Sequence, residues 1–170
     1  MDRSAEFDAA VAAVLVAYEA EGLVAEVDQA SRCAGSFARL FVSDRANGES
    51  SKVELGIDWR ANEPVLMAVG PVLHPDDAVM NKMSALFGRA EARDFVDVDA
   101  VVCSGRYRHE DLLALAATAD SGFDRRLFAG ALDRARTLPA ARFAEYGITG
   151  PDLDRLRGRF AEWRAELLGG

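Results

Sequence analysis

Hydrophobic positions follow two different periods along the chain. From Glu6 to Glu21 they recur at helical spacing, with Phe7, Val11, Val14 (or Leu15) and Tyr18 on one side, and Gly22 supplies a C′ stop. The period then shortens. Residues 23–27, 37–42 and 52–58 read as strands, and Asn47-Gly48 in the connection 43–49 is a hairpin-turn signal. Val65 to Val69 adds a short fourth strand before Gly70-Pro71. From Asp76 onward the helical period predicts segments over 76–89, 92–103, 109–119, 122–136 and 151–168. Breaks fall at Gly105, Ser121-Gly122, Pro139 and Gly147 to Pro151. Strands followed by helices predict an α+β protein, an antiparallel or mixed sheet leading into a C-terminal helical bundle. Residues 1–75 form the α/β part and 76–170 the helical part. No linker separates them, so one compact unit is expected.

Composition narrows the functional classes. The net charge of −8 argues against nucleic-acid binding driven by the field of the whole molecule. No apolar run is long enough for a membrane helix, and no basic segment near Met1 marks a signal peptide. Cys33 and Cys103 fit no metal spacing and read as reduced, packed thiols of a cytoplasmic protein. The charge is uneven: residues 1–85 carry 7 basic and 14 acidic side chains, whereas residues 86–170 carry 13 and 14. All 13 of those later cations are arginine, and Lys52 and Lys82 are the only lysines in the chain.

Lys82 is the anomaly in the pattern. Pro75, Asp76 and Asp77 open a helix with a first-turn proline and N-terminal carboxylates, and Val79, Met83, Leu86 and Phe87 follow at helical spacing. Lys82 lies three residues after Val79 and four before Leu86, on the stripe expected to face inward, and Arg89 and Arg93 continue that line. A lysine there either extends past the core or points into a pocket that holds an anion. Asp94 and Asp97 follow one helical turn apart.

The run Asp77…Asn81-Lys82…Ala85-Leu86…Arg89…Ala92-Arg93-Asp94-Phe95-Val96-Asp97 resembles the late motif of the AbiEii/AbiGii nucleotidyltransferase-like toxin family. The resemblance implies a nucleotidyltransferase-like fold and transfer of NMP from an NTP to an acceptor such as tRNA, with Mg²⁺ as cofactor. It implies nucleotide binding at Lys82, with Arg89 and Arg93 beside it, and places Asp94 and Asp97 in the active-site region. A cognate antitoxin is the implied protein partner. In such a fold a metal-binding carboxylate comes from a later strand of the sheet. Glu54 best fits that place and Asp58 is second.

The residues also support plainer readings. Glu54 and Asp58 sit at even spacing on one predicted strand, with Val53, Leu55 and Ile57 on the other face. Two carboxylates so placed suit Mg²⁺ and phosphoryl transfer, but also the solvated face of a hairpin. Asp94 and Asp97 can equally decorate a helix N-terminus and pair with Arg89 or Arg93. His74 and His109 read as loop or cap residues, and Trp59 and Trp163 as core or groove residues. The arginines of the last helices offer a stripe for an RNA backbone, but interleaved acids favour a salt-bridged solvent face.

Residues 1–40 contain neither the small-residue Gly-Gly/Ser motif nor the Asp-x-Asp pair that the family carries before this region. The chain therefore reads as the C-terminal portion of a longer protein or a shortened relative, with transfer impaired by the loss of preorganised charge. The alternative is a non-catalytic relative that binds a nucleotide or another protein. An open sheet edge would then be a surface for homo-oligomer formation.

Overall fold

The computed structural model describes residues 3–169 and shows the expected α+β composition, with a sheet followed by C-terminal helices. Two compact units divide the chain, residues 1–59 and 60–170. No helix among the described residues is long and apolar enough to cross a membrane.

The first unit places α1 (Arg3–Ala20) on a three-stranded antiparallel sheet, β1 (Val24–Val27), β2 (Phe37–Ser43) and β3 (Ser50–Gly56), with β2 in the centre. Alternation on β2 turns Ala38, Leu40 and Val42 inward, where they pack with Phe7 and Val11 of the helix. Register is Leu40 opposite Val27 on one side and opposite Val53 on the other. The β2–β3 connection closes through Gly48 at φ +74°, as its Asn-Gly signal predicts.

The loop before β2 approaches α1 closely. Gly35 has φ +72°, and a Cβ there would lie 1.8 Å from Ser4 Oγ and 2.9 Å from Ser4 Cα. Left-handed backbone and lack of space act together, so Gly35→Ala is expected to destabilise this unit by about 1–3 kcal/mol. Amide hydrogen exchange along α1 checks this; unchanged protection would show that the loop yields without cost.

The second unit holds the hairpin β4 (Val65–Met67) and β5 (Gly70–Val72), then α2 (Pro75–Gly88), α3 (Ala92–Cys103), α4 (His109–Ala119), α5 (Arg125–Thr137), α6 (Ala140–Ala144) and α7 (Gly150–Gly169). The hairpin is a separate two-stranded sheet, not a fourth strand of the first. Helix α2 packs on α3, α4 and α5, and α5 packs along α7. Their shared core includes Met83, Leu86, Phe95, Leu112, Phe128, Phe143, Phe160 and Trp163, all essentially inaccessible to solvent. Phe95 meets Phe160 edge-on at 5.0 Å, and Phe128 meets Trp163 likewise at 5.3 Å.

Several local expectations change. Helix α6 follows Pro139, where only a break was expected, and it buries Phe143. Trp163 is core, but Trp59 is exposed. Cys33 and Cys103 are free and exposed, so neither is a packed thiol. Cys33 lies in the turns before β2, and Cys103 ends α3 with Sγ 4.0 Å from Asp99 Oδ2. His74 does cap α2: its Nδ1 accepts the N–H of Asp76 at 3.2 Å.

Candidate functional site

The site is built at the corner between α2 and α3. Helix α2 presents two adjacent stripes. Val79, Met80, Met83 and Leu86 enter the core, while Ala78, Lys82, Ala85 and Arg89, at steps of four, three and four, line an open cleft. Lys82 therefore lies one step round the helix from the inward stripe and is half-buried. The cleft has a volume of about 290 Å³, and Asn81, Leu73, Asp94 and Asp97 complete its lining. The alanines on either side of Lys82 leave this space open.

A tight turn sets the geometry. Helix α2 ends at Gly88, Arg89 caps it, and Ala90 takes φ +47°, a left-handed conformation usually filled by glycine. Ala90 is buried, and its N–H reaches Ala85 O at 3.4 Å. This strained residue is held between the two helices, and the ion pair across the turn fastens them.

That ion pair is Arg89 with Asp94. Arg89 donates from Nη2 to Oδ1 at 2.7 Å and from Nε to Oδ2 at 2.9 Å. The second carboxylate oxygen also accepts the Glu91 N–H at 3.0 Å, one arm of the capping box that starts α3. Asp94 is only 1 % exposed. Burial pushes its pKa up, but the hydrogen bonds from Arg89 and Glu91 and the charges of Arg89 and Arg93 hold it below the ordinary carboxylate value. Asp94 thus borders the cleft with both oxygens already engaged.

Lys82 and Asp97 form the second pair. Lys82 Nζ donates to Asp97 Oδ2 at 2.8 Å, with the lysine side chain 39 % exposed. Arg93 Nε stands 3.8 Å from the same oxygen, one turn before Asp97. The structure therefore brings together Lys82, Arg89, Asp94 and Asp97 around one cleft, with Arg93 beside Asp97.

Glu54 and Asp58 belong to the first unit. Glu54 faces Arg39 across the β2–β3 register and accepts from Arg39 Nε at 2.9 Å, with Lys52 Nζ at 3.3 Å. Hydrogen bonds from Arg39 and then Lys52 hold its pKa below the ordinary value. The predicted shared strand face does not extend to Asp58, because β3 ends at Gly56, where its pairing with β2 stops at Phe37. Asp58 lies in the following loop, and its Oδ1 accepts the Trp59 N–H at 2.8 Å. Among the described residues no three or more His, Cys, Asp or Glu side chains gather as a metal-binding group. Glu54 with two cations on it, and Asp58 outside the strand, do not build a magnesium site by themselves.

Two further residues position the cleft. Asp77, buried at the start of α2, accepts the N–H groups of Ala61 and Asn62 at 2.9 and 3.1 Å and so anchors the segment before the hairpin. Burial raises its pKa, but these hydrogen bonds and the Asn62 side chain lower it further, so it stays ionised. Tyr107 Oη donates to Asp76 Oδ1 at 2.6 Å and ties the α3–α4 loop to the same helix start. Asp77 was visible in sequence as one of two helix-capping acids and as the first residue of the run that carries the family resemblance, but not as an anchor for Ala61 and Asn62. Tyr107 gave no signal.

No protein-family model, curated protein or solved structure matches this chain.

Proposed function

We propose that the α2–α3 cleft takes the phosphates of a nucleoside triphosphate, with Lys82 as the contacting cation. On this reading the chain is nucleotidyltransferase-like, of the AbiEii/AbiGii type, and its reaction class is NMP transfer from an NTP to an acceptor such as tRNA. The observation that carries the reading is a half-exposed lysine, flanked by alanines, on an open cleft of about 290 Å³. An ammonium has three donors, and one points at Asp97. Two remain for an entering phosphate, and Arg93 stands close enough to Asp97 to balance it when Lys82 turns away.

The resemblance adds Mg²⁺, which would neutralise the triphosphate and bind through carboxylate oxygens. Glu54 and Asp58 do not assemble such a site within their unit, so no step is derived through the metal. A second reading, nucleotide binding without transfer, is favoured by Asp94. Its oxygens are held by Arg89 and the α3 backbone, leaving Asp97 as the cleft's more accessible carboxylate.

Calorimetric titration of the four NTPs, each with Mg²⁺, into wild type and Lys82→Ala tests the shared part of both readings. At least one NTP is expected to bind with a Kd on the order of micromolar, weakened about 30-fold by the substitution. The melting temperature should hardly move, because a half-exposed pair contributes about 0–1 kcal/mol. Absence of binding to either protein would remove the nucleotide reading and direct the search to protein partners, a cognate antitoxin among them. Where binding is seen, assay for NMP transfer to tRNA separates the two readings.

A further inference from the structure

The last helices carry nine arginines, and the structure sorts them by partner. Arg125 has Glu110 at 2.5 Å, Arg159 has both oxygens of Asp99 at 2.7 and 2.6 Å, and Arg155 has Asp152. These belong to the salt-bridged solvent face that the interleaved acids predict. Arg136 and Arg164 share a single acid, Asp133, and Arg157 is held by backbone carbonyls instead. All three line a hollow of about 210 Å³ along the α5–α7 seam, where Asp133 is the one carboxylate in the lining.

Asp133 leaves most of that positive charge unmatched. It lies 3.4 Å from Arg136 Nη2 and 3.7 Å from Arg164 Nε, the second too long for a hydrogen bond. Arg164 Nε is buried and has no hydrogen-bond partner among the described residues. Arg157 donates from Nε to Ala135 O at 3.0 Å and from Nη2 to Leu138 O at 2.8 Å. Those carbonyls close the end of α5, so Arg157 is fixed in place but has no carboxylate partner among the described residues. Ala161 follows Arg157 by four residues and precedes Arg164 by three, on the same face of α7. Its small side chain leaves the space between the two guanidinium groups open.

We infer that this seam is a binding site for a phosphoryl oxyanion. Three guanidinium groups against one carboxylate suit a group with several acceptor oxygens and one or two negative charges, and planar forks match its geometry. The site stands out because the protein as a whole is acidic, with a net charge of −8. It rests on α5 and α7 and does not depend on the reading of the Lys82 cleft. Either a free phosphate group or the phosphodiester of an RNA strand supplies this chemistry.

The test is a titration of the full chain with sodium phosphate at constant ionic strength, read from the arginine Nε–H resonances in ¹H–¹⁵N spectra. The Arg157 and Arg164 signals are expected to shift saturably at about millimolar phosphate, with no such change in chloride. Arg136→Gln and Arg164→Gln should each weaken binding about 10-fold, Arg136→Gln keeping the Arg164 reporter, while Lys82→Ala leaves it unchanged. A single-stranded RNA oligomer that displaces phosphate from these resonances assigns the site to a phosphodiester, and phosphate binding without such competition assigns it to a free anion. Shifts that do not saturate, that chloride reproduces, or that survive both arginine substitutions would overturn the site.

Discussion

Asp94→Ala is expected to destabilise the helical unit by about 2–3 kcal/mol, measured by urea denaturation at pH 7. Three contributions are lost together. The bidentate pair with Arg89 disappears, the Glu91 N–H loses its acceptor, and the corner that holds Ala90 at φ +47° loses its fastening. The loss stays below that of a fully buried ion pair because Arg89, with its side chain 54 % exposed, can turn to water. Asp94→Asn keeps an acceptor for the Glu91 N–H and should cost less. The result also bears on function, since an Asp94 that served chemistry alone would leave stability unchanged when removed. An unaltered denaturation midpoint in Asp94→Ala would return this carboxylate to the list of candidate catalytic groups.

The same residue sets a pH dependence with a defined sign. Its folded pKa lies below the unfolded value of about 3.9, so its contribution is fully present above that value. It is lost as pH falls from that value through the folded pKa, because the unfolded chain then binds the proton more readily. Asp77 acts in the same direction, so wild-type stability falls on the acid side through several groups. The gap between wild type and Asp94→Asn isolates one of them. It should narrow as pH drops below about 4 and stay constant from pH 5 to 7.

Much of the architecture was legible because its signals are local. Alternation along β2, helical spacing in α2 to α5 and α7, and Gly48 in the hairpin each act within a few residues. The expected segments over 92–103 and 109–119 coincide with α3 and α4. The α2–α3 turn was harder to place in detail, since the conformation that usually requires glycine falls on Ala90, while Gly88 remains helical. Only tertiary packing around a buried Ala90 decides that. The end of β3 was likewise hidden, because strand length is set by where the partner strand begins, at Phe37. That is why Asp58 left the strand face it was expected to share with Glu54.

The candidate site shows the same division. Spacing alone identified Lys82 as out of place on its helix and set Asp94 and Asp97 on one face. It could not say that they have different partners. Asp94 meets Arg89 across the turn, and Asp97 meets Lys82 from 15 residues away. The cleft-lining stripe Ala78, Lys82, Ala85 and Arg89 was present as a 4-3-4 spacing, displaced by one position from the more conspicuous apolar stripe. The arginines of α5 and α7 were readable only as an average. A solvent face in which most cations have acids nearby concealed three that converge where one acid serves them.

Phe95→Ala is expected to be the most damaging single substitution in the candidate motif, costing the helical unit about 3–5 kcal/mol. The residue stands between Asp94 and Val96, so proximity to the site would suggest a functional role. Its surroundings indicate a structural one. It is inaccessible to solvent, packs edge-on against Phe160 of α7 at 5.0 Å, and lies 6.4 Å from Phe143 of α6. It thereby joins α3 to α7 and to α6, the short helix that the hydrophobic pattern did not predict. Truncation removes apolar burial and leaves a cavity that two neighbouring rings can only partly fill. For a unit of this size the melting temperature should fall by about 12–20 °C. Phe95→Leu retains most of the volume and should recover more than half of the loss. If Phe95→Ala instead melted like wild type while abolishing nucleotide binding, the aromatic ring would have to be moved from the core to the cleft. The contacts with α6 and α7 lead us to expect the reverse, with stability falling steeply and nucleotide affinity preserved in the fraction that remains folded.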